Sequence, residues 1–499
     1  MNEYTIHAKG HFFMPSSDHF NINLSLVSHT NIGKTTLART LLMQDVGEVA
    51  DRAHVTEDTD AHVLARDPSG CELLLWDTPG FGNSVALAKR LSQRNNPIGW
   101  FLSEVWDRFT NKSFWLDQKA IAHIRDTSDV LLYLVNSTEL PSPENYIPSE
   151  MQILTWINKP VIVLLNQMGQ PHPPEEEAQH LKAWKDALID YPFVREVLPM
   201  DAFARCWVQE VALFEAIGKA LPDELQSAFS TLQDTWIRGR RALYTKSIDA
   251  MAQHMVNLIN SHELAPTPSW KDHIFAFATQ LGLSKSGNAA LEAAQSALAA
   301  NAADRLCLLT QRLIRINHLK EGQTNREILR RMKSDWEMVS TGINPGSAAA
   351  IGAGVGIAGG AAAGAAVDAS TGGLSLGIGT LVGGLLGALG GAGAAAIYNA
   401  NHQKEGIDIT WSVEALQGFF LETLLLYMAV AHFGRGRGKW QQSESPAFWK
   451  DALIEAIAQN PPDWKALRKS EPDASTGELT RLIDAALRIV FDQLYAKHP

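Results

Sequence analysis

The sequence has few cysteines and no long apolar run at its start. Only three of its 499 residues are cysteines, Cys71, Cys206 and Cys307, and they stand far apart. This spacing argues against a disulfide framework or a zinc site, and it is typical of reduced thiols in the cytosol. The first residues include Glu3 and lack the apolar core of a secretion signal. We therefore predict a cytoplasmic protein.

An excess of positive charge is also absent. The sequence has 43 Lys and Arg against 54 Asp and Glu, which gives a formal net charge of −11. General nucleic-acid binding needs a basic surface, so we predict no nucleic-acid partner. Apolar residues make up 45% of the sequence, which excludes a disordered chain, and the length allows several domains.

A phosphate-binding loop is present at residues 28–36, with the letters SHTNIGKTT. A strand pattern over residues 22–27 precedes it and a helix-forming run follows it, which is the context that such a loop needs. Its backbone N–H groups would bind phosphates, and Lys34 would reach the β- and γ-phosphates. Ser28 departs from the usual pattern, which has a first glycine there. The predicted phosphate-binding residues are Asn31, Ile32, Gly33, Lys34, Thr35 and Thr36.

A second motif, DTPG at residues 77–80, follows about forty residues later at the end of another predicted strand. Asp77, at the carboxyl end of that strand, can hold Mg²⁺ together with the Thr35 hydroxyl of the loop. The N–H of Gly80 can sense the γ-phosphate. The two motifs together predict a nucleoside triphosphate site.

A polar segment without periodicity separates the two motifs and is suited to a loop that senses the nucleotide. Thr56 and Thr59 are both candidates to bind Mg²⁺ there, and we favour Thr56 because Thr59 lies close to the next strand. The predicted catalytic residues are Lys34, Thr56, Asp77 and Gly80, and the predicted Mg²⁺ ligands are Thr35, Thr56 and Asp77.

With these two motifs, residues 24–202 resemble the TrmE–Era-like branch of the translation-factor-related P-loop GTPases. The resemblance implies GTP or GDP with Mg²⁺, and an α/β fold whose mostly parallel sheet carries helices on both faces. Phe81 stands where Ras-like enzymes carry a water-positioning Gln, so the water must be oriented another way. Asn31 matches the position at which several such enzymes coordinate K⁺. Alternatively, Asn31 only tolerates the conformation of the loop.

The resemblance also locates a base-binding motif, N-K-x-D in the family, after a buried strand. Asn166 matches its first position, Gln167 replaces the Lys, and Gly169 replaces the Asp that would accept hydrogen bonds from guanine. A hydrogen bond to a charged group is worth roughly 1.5–3 kcal/mol, so we expect a weaker preference for GTP over ATP than in members that keep the Asp. Ala202, in a loop that resembles the family's S-A-K motif, is predicted to bind the base through its N–H.

Strand patterns are absent after about residue 222, where helix-forming runs take over. The second part is therefore predicted to be all-α. An apolar run over residues 416–430 suits either a core helix or an interfacial one, and we favour the core. The predicted divisions are a P-loop domain over 1–221, a helical stalk over 222–345, a glycine-rich hairpin over 346–398 and a helical C-terminal part over 399–499.

Asp, Glu, Lys and Arg are absent from residues 338–367 and 369–403, and 17 of the 37 glycines fall between Gly346 and Gly393. Many of these glycines recur every fourth residue, which would form smooth stripes along two helices that pack closely. The first arm would span about 30 Å, the thickness of a bilayer core. We favour insertion of this glycine-zipper hairpin in a membrane, and a hairpin buried in protein is the alternative.

These features predict a GTP-binding protein, a slow GTPase switch that acts at the inner membrane through the hairpin. Two alternatives stay open. One is a non-hydrolysing nucleotide-binding scaffold, since Phe81 and Gly169 depart from active patterns, and the other is a pore-forming or membrane-remodelling protein controlled by nucleotide. The predicted partners are a guanine nucleotide, a membrane lipid or membrane protein, and, as an open option, a second copy of the chain.

Overall fold

The computed structural model describes ten stretches that include parts of both halves of the chain. They are residues 21–44, 60–103, 112–142, 145–168, 172–202, 206–265, 289–319, 398–403, 406–433 and 446–495. Thr56, Thr59, Gly169 and the glycine-rich segment up to residue 397 lie outside them. What the sequence predicts for those residues stays a prediction.

The described residues of the N-terminal part form six strands with helices between most of them. Its elements are β1 (Asn21–Ser28), α1 (Lys34–Leu42), β2 (Asp60–Arg66), β3 (Glu72–Asp77), α2 (Ser84–Leu91), α3 (Pro97–Ser103), α4 (Lys112–Thr127), β4 (Val130–Asn136), α5 (Ile147–Ile157), β5 (Val161–Asn166), α6 (Pro174–Ala187), β6 (Val194–Pro199) and α7 (Trp207–Ala220). The strands form one sheet in the order β2-β3-β1-β4-β5-β6. All neighbours are parallel except the hairpin of β2 and β3. This confirms the predicted α/β class.

Side chains of the central strands alternate between two apolar cores, one on each face of the sheet. On β4, Leu132 and Leu134 belong to the core that includes α1 and α7, whereas Leu131 and Tyr133 belong to the core that includes α2, α4 and α5. Strand β5 is buried along its whole length, which is typical of a parallel strand with both faces covered. Layers on both faces leave the carboxyl ends of the parallel strands, with their loops, as the place for a ligand.

The second part is mainly helical, as predicted. Its elements are α8 (Asp223–Ile259), β7 (His262–Ala265), α9 (Ala289–Ile316), β8 (Tyr398–Gln403), β9 (Gly406–Trp411), α10 (Val413–Ala431), α11 (Ala447–Gln459), α12 (Trp464–Lys469) and α13 (Pro472–Leu494). Helix α8 has 37 residues and spans about 55 Å. Its first half packs Leu232 and Trp236 into a core of the sheet, and its second half packs Met251 and Met255 into the core of the other helices. The loop before α8 coincides with the predicted division at residue 222, but apolar packing crosses it.

A small sheet interrupts the helical part, and the sequence did not predict it. Its strands are antiparallel, in the order β7-β9-β8. Strand β9 buries Ile409 and Trp411 completely. Each strand has only four to six residues, too few for alternation to stand out from the surrounding sequence. The division predicted at residue 398 falls on the first residue of β8.

Helix α10 contains the apolar run for which a core position was favoured. In the described stretches it is the one helix that is long and apolar enough to cross a membrane, judged by length and composition. More than half of its apolar window is buried within the protein. Leu416, Leu424 and Met428 lie in the core shared with α8 and α13, so the helix packs as the core prediction requires.

Candidate nucleotide-binding site

The phosphate-binding loop lies between β1 and α1, as the sequence predicts. It has two residues in the left-handed region, Asn31 with φ 66° and Gly33 with φ 101°. A side chain at Gly33 would be strained by this φ, and its Cβ would lie 2.9 Å from the Asn166 Nδ2 atom. Gly33 is also the N-cap residue of α1 and, being glycine, offers no side chain to cap that end of the helix. The first N–H groups of α1 thus form the start of an anion site.

Lys34 is buried between the two motifs. Its Nζ donates to the Ser28 Oγ at 3.0 Å, and a Cβ added to Gly80 would lie 2.8 Å from the same Nζ. Burial lowers the pKa of Lys34, although the carboxylates of Asp77 and Glu150 act in the opposite direction. The serine that departs from the loop pattern therefore has a role, because it provides the hydrogen-bond acceptor for the lysine.

Thr35 and Asp77 meet as predicted, with the Thr35 hydroxyl donating to Asp77 Oδ2. The other oxygen, Asp77 Oδ1, is buried and has no hydrogen-bond partner among the described residues. Burial raises the pKa of Asp77, while the charge of Lys34 acts to lower it. A buried carboxylate oxygen without a partner is costly, and a divalent cation with oxygen ligands would relieve that cost. The residues present therefore fit Mg²⁺.

The second motif is hydrogen-bonded to the phosphate loop. Phe81 N–H donates to Ser28 O at 3.0 Å, and Thr30 N–H donates to Phe81 O at 3.2 Å. A Cβ at Gly80 would approach the Thr30 Cα to 3.0 Å. Gly80 therefore stands beside the loop, where the sequence places a sensor of the γ-phosphate.

The Phe81 side chain is buried, with 1% of its surface exposed. It lies in an apolar core with Leu87, Ile121 and Met151. A side chain packed in this way has no polar atom with which to position a water molecule. The structure gives Phe81 a packing role, in agreement with the expectation that the attacking water is oriented by other groups.

Asn166 connects three parts of the site, a role that the sequence did not predict. Its Nδ2 donates to Ile32 O at 2.6 Å in the phosphate loop, and its Oδ1 accepts from the Ala202 N–H at 2.9 Å. The Ala202 N–H predicted to bind the base is thus bonded to Asn166 in this structure. Gln167 follows in a left-handed conformation, with φ 58°. Base contacts by these three residues stay predictions.

A polar cluster that joins the phosphate loop to the buried Glu150 was missed by the sequence analysis. His29 Nδ1 lies 2.8 Å from Glu150 Oε1, and the Tyr133 hydroxyl donates to Glu150 Oε2 at 2.7 Å. The ring of Tyr146 stacks on His29, with centroids 4.3 Å apart. The separation of these residues along the chain gave no local signal for the cluster.

Asp117 of α4 is a second group that the sequence analysis missed. Its Oδ1 accepts from the Gly82 N–H at 3.0 Å, which ties the segment after the second motif to α4. Its Oδ2 is buried without a partner among the described residues. The sequence does contain a signal for it: Asp117 shares a helix face with the buried Ala120, Ile121 and Ile124, and a carboxylate on such an apolar face indicates a buried polar group.

Asp117 should make stability depend on pH. Burial raises its pKa from 3.8 to about 7, so the folded state keeps a proton that the unfolded chain releases above pH 4. The stabilisation of the folded state by this bound proton is fully present below the ordinary pKa of Asp and is lost as the pH rises towards 7. Asp117→Asn keeps an oxygen that accepts from the Gly82 N–H and removes the titration. The free energy of unfolding of the variant relative to that of the wild type should therefore rise from pH 4 to 7, by at most about 4 kcal/mol. Urea unfolding of both proteins at several pH values measures this, and parallel curves would contradict it.

Two family models match the chain. The model described as "50S ribosome-binding GTPase" matches residues 23–167, which include the phosphate loop, the second motif and Asn166. The model described as "Domain of unknown function (DUF3482)" matches residues 194–487, more than half of the chain. The chain therefore joins an N-terminal P-loop GTPase domain to a DUF3482 domain.

Individual relatives are distant and match only part of the chain. GTPase Era of Lactobacillus delbrueckii subsp. bulgaricus is 21% identical over 160 residues, which are 32% of this chain and 43% of that protein. A structure of Era in complex with MgGDPNP and a fragment of 16S ribosomal RNA is 20% identical, covers 41% of this chain and 58% of its own, and has a TM-score of 0.30. Aquifex aeolicus Era bound to GDP and AlF4⁻ is 19% identical, covers 50% of this chain and 75% of its own, and has a TM-score of 0.30. This chain thus spans less than half the length of the Era sequences that it matches.

Proposed function

This chain belongs to the family of the domain of unknown function DUF3482, and we propose that its P-loop domain makes it a GTP-binding switch that hydrolyses GTP slowly. The observation that supports this most is the meeting of Lys34, Thr35 and Asp77 at the ends of two parallel strands. The Era relatives, which are named as GTPases, are consistent with guanine nucleotide as the ligand.

Each residue of the site has a definite task in this proposal. Lys34 binds the β- and γ-phosphates, and the N–H groups at the start of α1 bind the phosphate oxygens. Thr35 and Asp77 hold Mg²⁺, which neutralises phosphate charge when it is bound. Gly80 reports the γ-phosphate through its N–H. Thr56 stays our candidate for the switch loop.

Hydrolysis separates this proposal from a nucleotide-binding scaffold, and we expect it to be faster in KCl than in NaCl at equal ionic strength. The reason is that an Asn31 side chain that coordinates K⁺ would add positive charge at the phosphates, where Phe81 cannot position water. Steady-state phosphate release measures the rate, and Asn31→Ala should remove the difference between the salts.

A matched variant controls for the backbone of the loop. Asn31 has a positive φ, which strains Ala but not Gly. Asn31→Gly therefore removes the side chain alone and should remove the salt difference as well. If Asn31→Gly keeps the difference, Asn31 is only a loop residue. If the wild type binds Mg·GTP but releases no phosphate, the scaffold alternative is correct.

The place of action that we propose is the cytoplasmic side of the inner membrane. The support is the glycine-rich segment without charged residues, since Gly destabilises helices in water by about 1 kcal/mol relative to Ala and is better tolerated where helices pack in lipid. We expect the full chain to resist carbonate extraction from membranes. Deletion of residues 346–397, which leaves β8 whole, should release it. Recovery of the full chain in the soluble fraction without detergent would favour a hairpin buried in protein.

The absence of a nucleic-acid partner stays a prediction from net charge. One matched structure is a complex of Era with ribosomal RNA, so RNA is the first ligand to try if the membrane proposal fails.

A further inference from the structure

The segment that follows the second motif is held from two sides. Both backbone groups of Phe81 are hydrogen-bonded to the phosphate loop, and the Thr30 hydroxyl also donates to Phe81 O at 3.0 Å. On the other side, the Gly82 N–H donates to Asp117 Oδ1 of α4 at 3.0 Å. Gly80, the predicted sensor of the γ-phosphate, comes two residues before that bond. The orientation of its peptide therefore depends on the hydrogen bonds of the two residues that follow it.

Asp117 belongs to the same group of charges as the phosphate loop. Burial raises the pKa of Asp117 most, the hydrogen bond from Gly82 acts against it, and the charges of Glu150 and His29 act in opposite directions. Glu150 is itself bonded to His29 of the phosphate loop. The helices α4 and α5, which carry the two carboxylates, pack against each other. One carboxylate thus holds the phosphate loop, and the other holds the segment after the second motif.

Packing alone does not account for a carboxylate at position 117. The neighbouring buried residues of α4 are apolar, namely Leu116, Ala120, Ile121 and Ile124. The Asp117 side chain is completely buried, and its Oδ2 has no hydrogen-bond partner among the described residues. A buried carboxylate oxygen in that state is costly. Buried carboxylates with a raised pKa are typical of functional sites, so a task beyond packing is indicated.

We propose that Asp117 is a positioning residue for the γ-phosphate, which fixes the Gly80 N–H through the adjoining backbone of Gly82. This inference rests on the proposed function, because it assumes that a nucleoside triphosphate binds at Lys34. A group that is fixed before the ligand arrives binds it more tightly, since binding then has less ordering to bring about. Asp117 acts through the backbone and does not contact the nucleotide, so its complete burial suits this role.

The competing explanation is that Asp117 stabilises the fold without regard to the nucleotide. GDP and the GTP analogue GDPNP separate the two explanations, because only GDPNP carries a third phosphoryl group. A merely structural loss would weaken both ligands alike. Loss of a positioning residue would weaken GDPNP and leave GDP unchanged, so the ratio of the two dissociation constants is the quantity to measure.

The experiment titrates the full chain with Mg·GDP and Mg·GDPNP at pH 8, above the pKa of about 7 of Asp117. Asp117→Leu removes the acceptor and should weaken GDPNP about 3- to 10-fold relative to GDP, the range for one hydrogen bond. Asp117→Asn keeps a neutral acceptor, which bonds more weakly than a carboxylate, and its ratio should lie between those of Asp117→Leu and the wild type. Asp126→Leu, at an exposed carboxylate of the same helix, is the matched control and should leave the ratio unchanged.

The outcomes distinguish failure of this inference from failure of the proposed function. If the wild type binds neither nucleotide, the proposed function is wrong and the inference falls with it. If the wild type binds both and Asp117→Leu keeps the wild-type ratio, only the inference is wrong. If Asp117→Leu does not fold, Asp117→Asn decides, because it keeps the size of the side chain and an acceptor for Gly82. An unchanged ratio in that variant at pH 8 would then overturn the inference.

Discussion

Replacing Lys34 by Ala removes most nucleotide binding, by at least about 100-fold, if the buried site between the two motifs is the phosphate site. The Lys34 Nζ lies beside Ser28 and Gly80, where the β- and γ-phosphates of a bound triphosphate would pass. Hydrogen bonds between charged groups are worth about 1.5–3 kcal/mol each, and the lysine would make more than one to the phosphates. Isothermal titration with Mg·GTP measures the loss.

The fold should survive this substitution, which makes the loss of binding interpretable. Burial lowers the pKa of Lys34, so the folded protein without nucleotide disfavours its charged form. Removing the ammonium relieves the cost of burying it but also takes from Asp77 the charge that lowers its pKa, so circular dichroism of the variant is recorded beside the titration. Lys89→Ala on the exposed side of α2 is the matched control and should bind as the wild type does. Unchanged affinity in Lys34→Ala would show that the phosphates bind elsewhere.

The sequence predicts this site well because its signals are local. A strand, a glycine loop and a helix place Lys34 and Thr35 without reference to the rest of the chain. Asp77 then follows from the sheet, since β1 and β3 are parallel neighbours with Leu26 opposite Asp77. Two motifs at the carboxyl ends of adjacent strands must meet.

The parts that the sequence did not predict depend on side chains from distant elements. Glu150 reaches His29 across 121 positions, and Asp201 reaches Met168 from another strand. Neither pair has a characteristic spacing, because the fold alone decides which loops become neighbours. The same holds for β9, where only the completed packing shows why Ile409 and Trp411 are buried.

Arg240 of α8 adds polar contacts between the two parts of the chain to the apolar packing of Leu232 and Trp236. Its Nη2 donates to Leu41 O at 2.8 Å, in the last turn of α1, and its Nε donates to Glu210 Oε2 of α7 at 2.9 Å. The guanidinium also lies 4.7 Å from the centre of the Trp236 ring. A cation at this end of α1 suits the helix dipole. The long helix of the second part thus holds the helix that begins at Lys34.

Arg240→Met should destabilise the protein by about 3–5 kcal/mol, the cost of breaking a buried ion pair by removing one partner. Met keeps much of the apolar stem of Arg, so the loss reports the charge. The Glu210 side chain is fully buried and that of Arg240 is 10% exposed, so solvent cannot replace the guanidinium. Urea unfolding followed by circular dichroism measures the change. Arg238→Met on the exposed face of the same helix is the matched control and should stay within about 0.5 kcal/mol of wild type.

The double variant Arg240→Met with Glu210→Gln tests whether the pair itself carries this effect. Once the carboxylate is neutral, loss of the guanidinium no longer leaves a buried charge without its ion-pair partner. The double variant should therefore lose less stability than the sum of the two single variants, by about 1–3 kcal/mol. Additive losses would mean that Arg240 stabilises the junction through Leu41 and Trp236 alone.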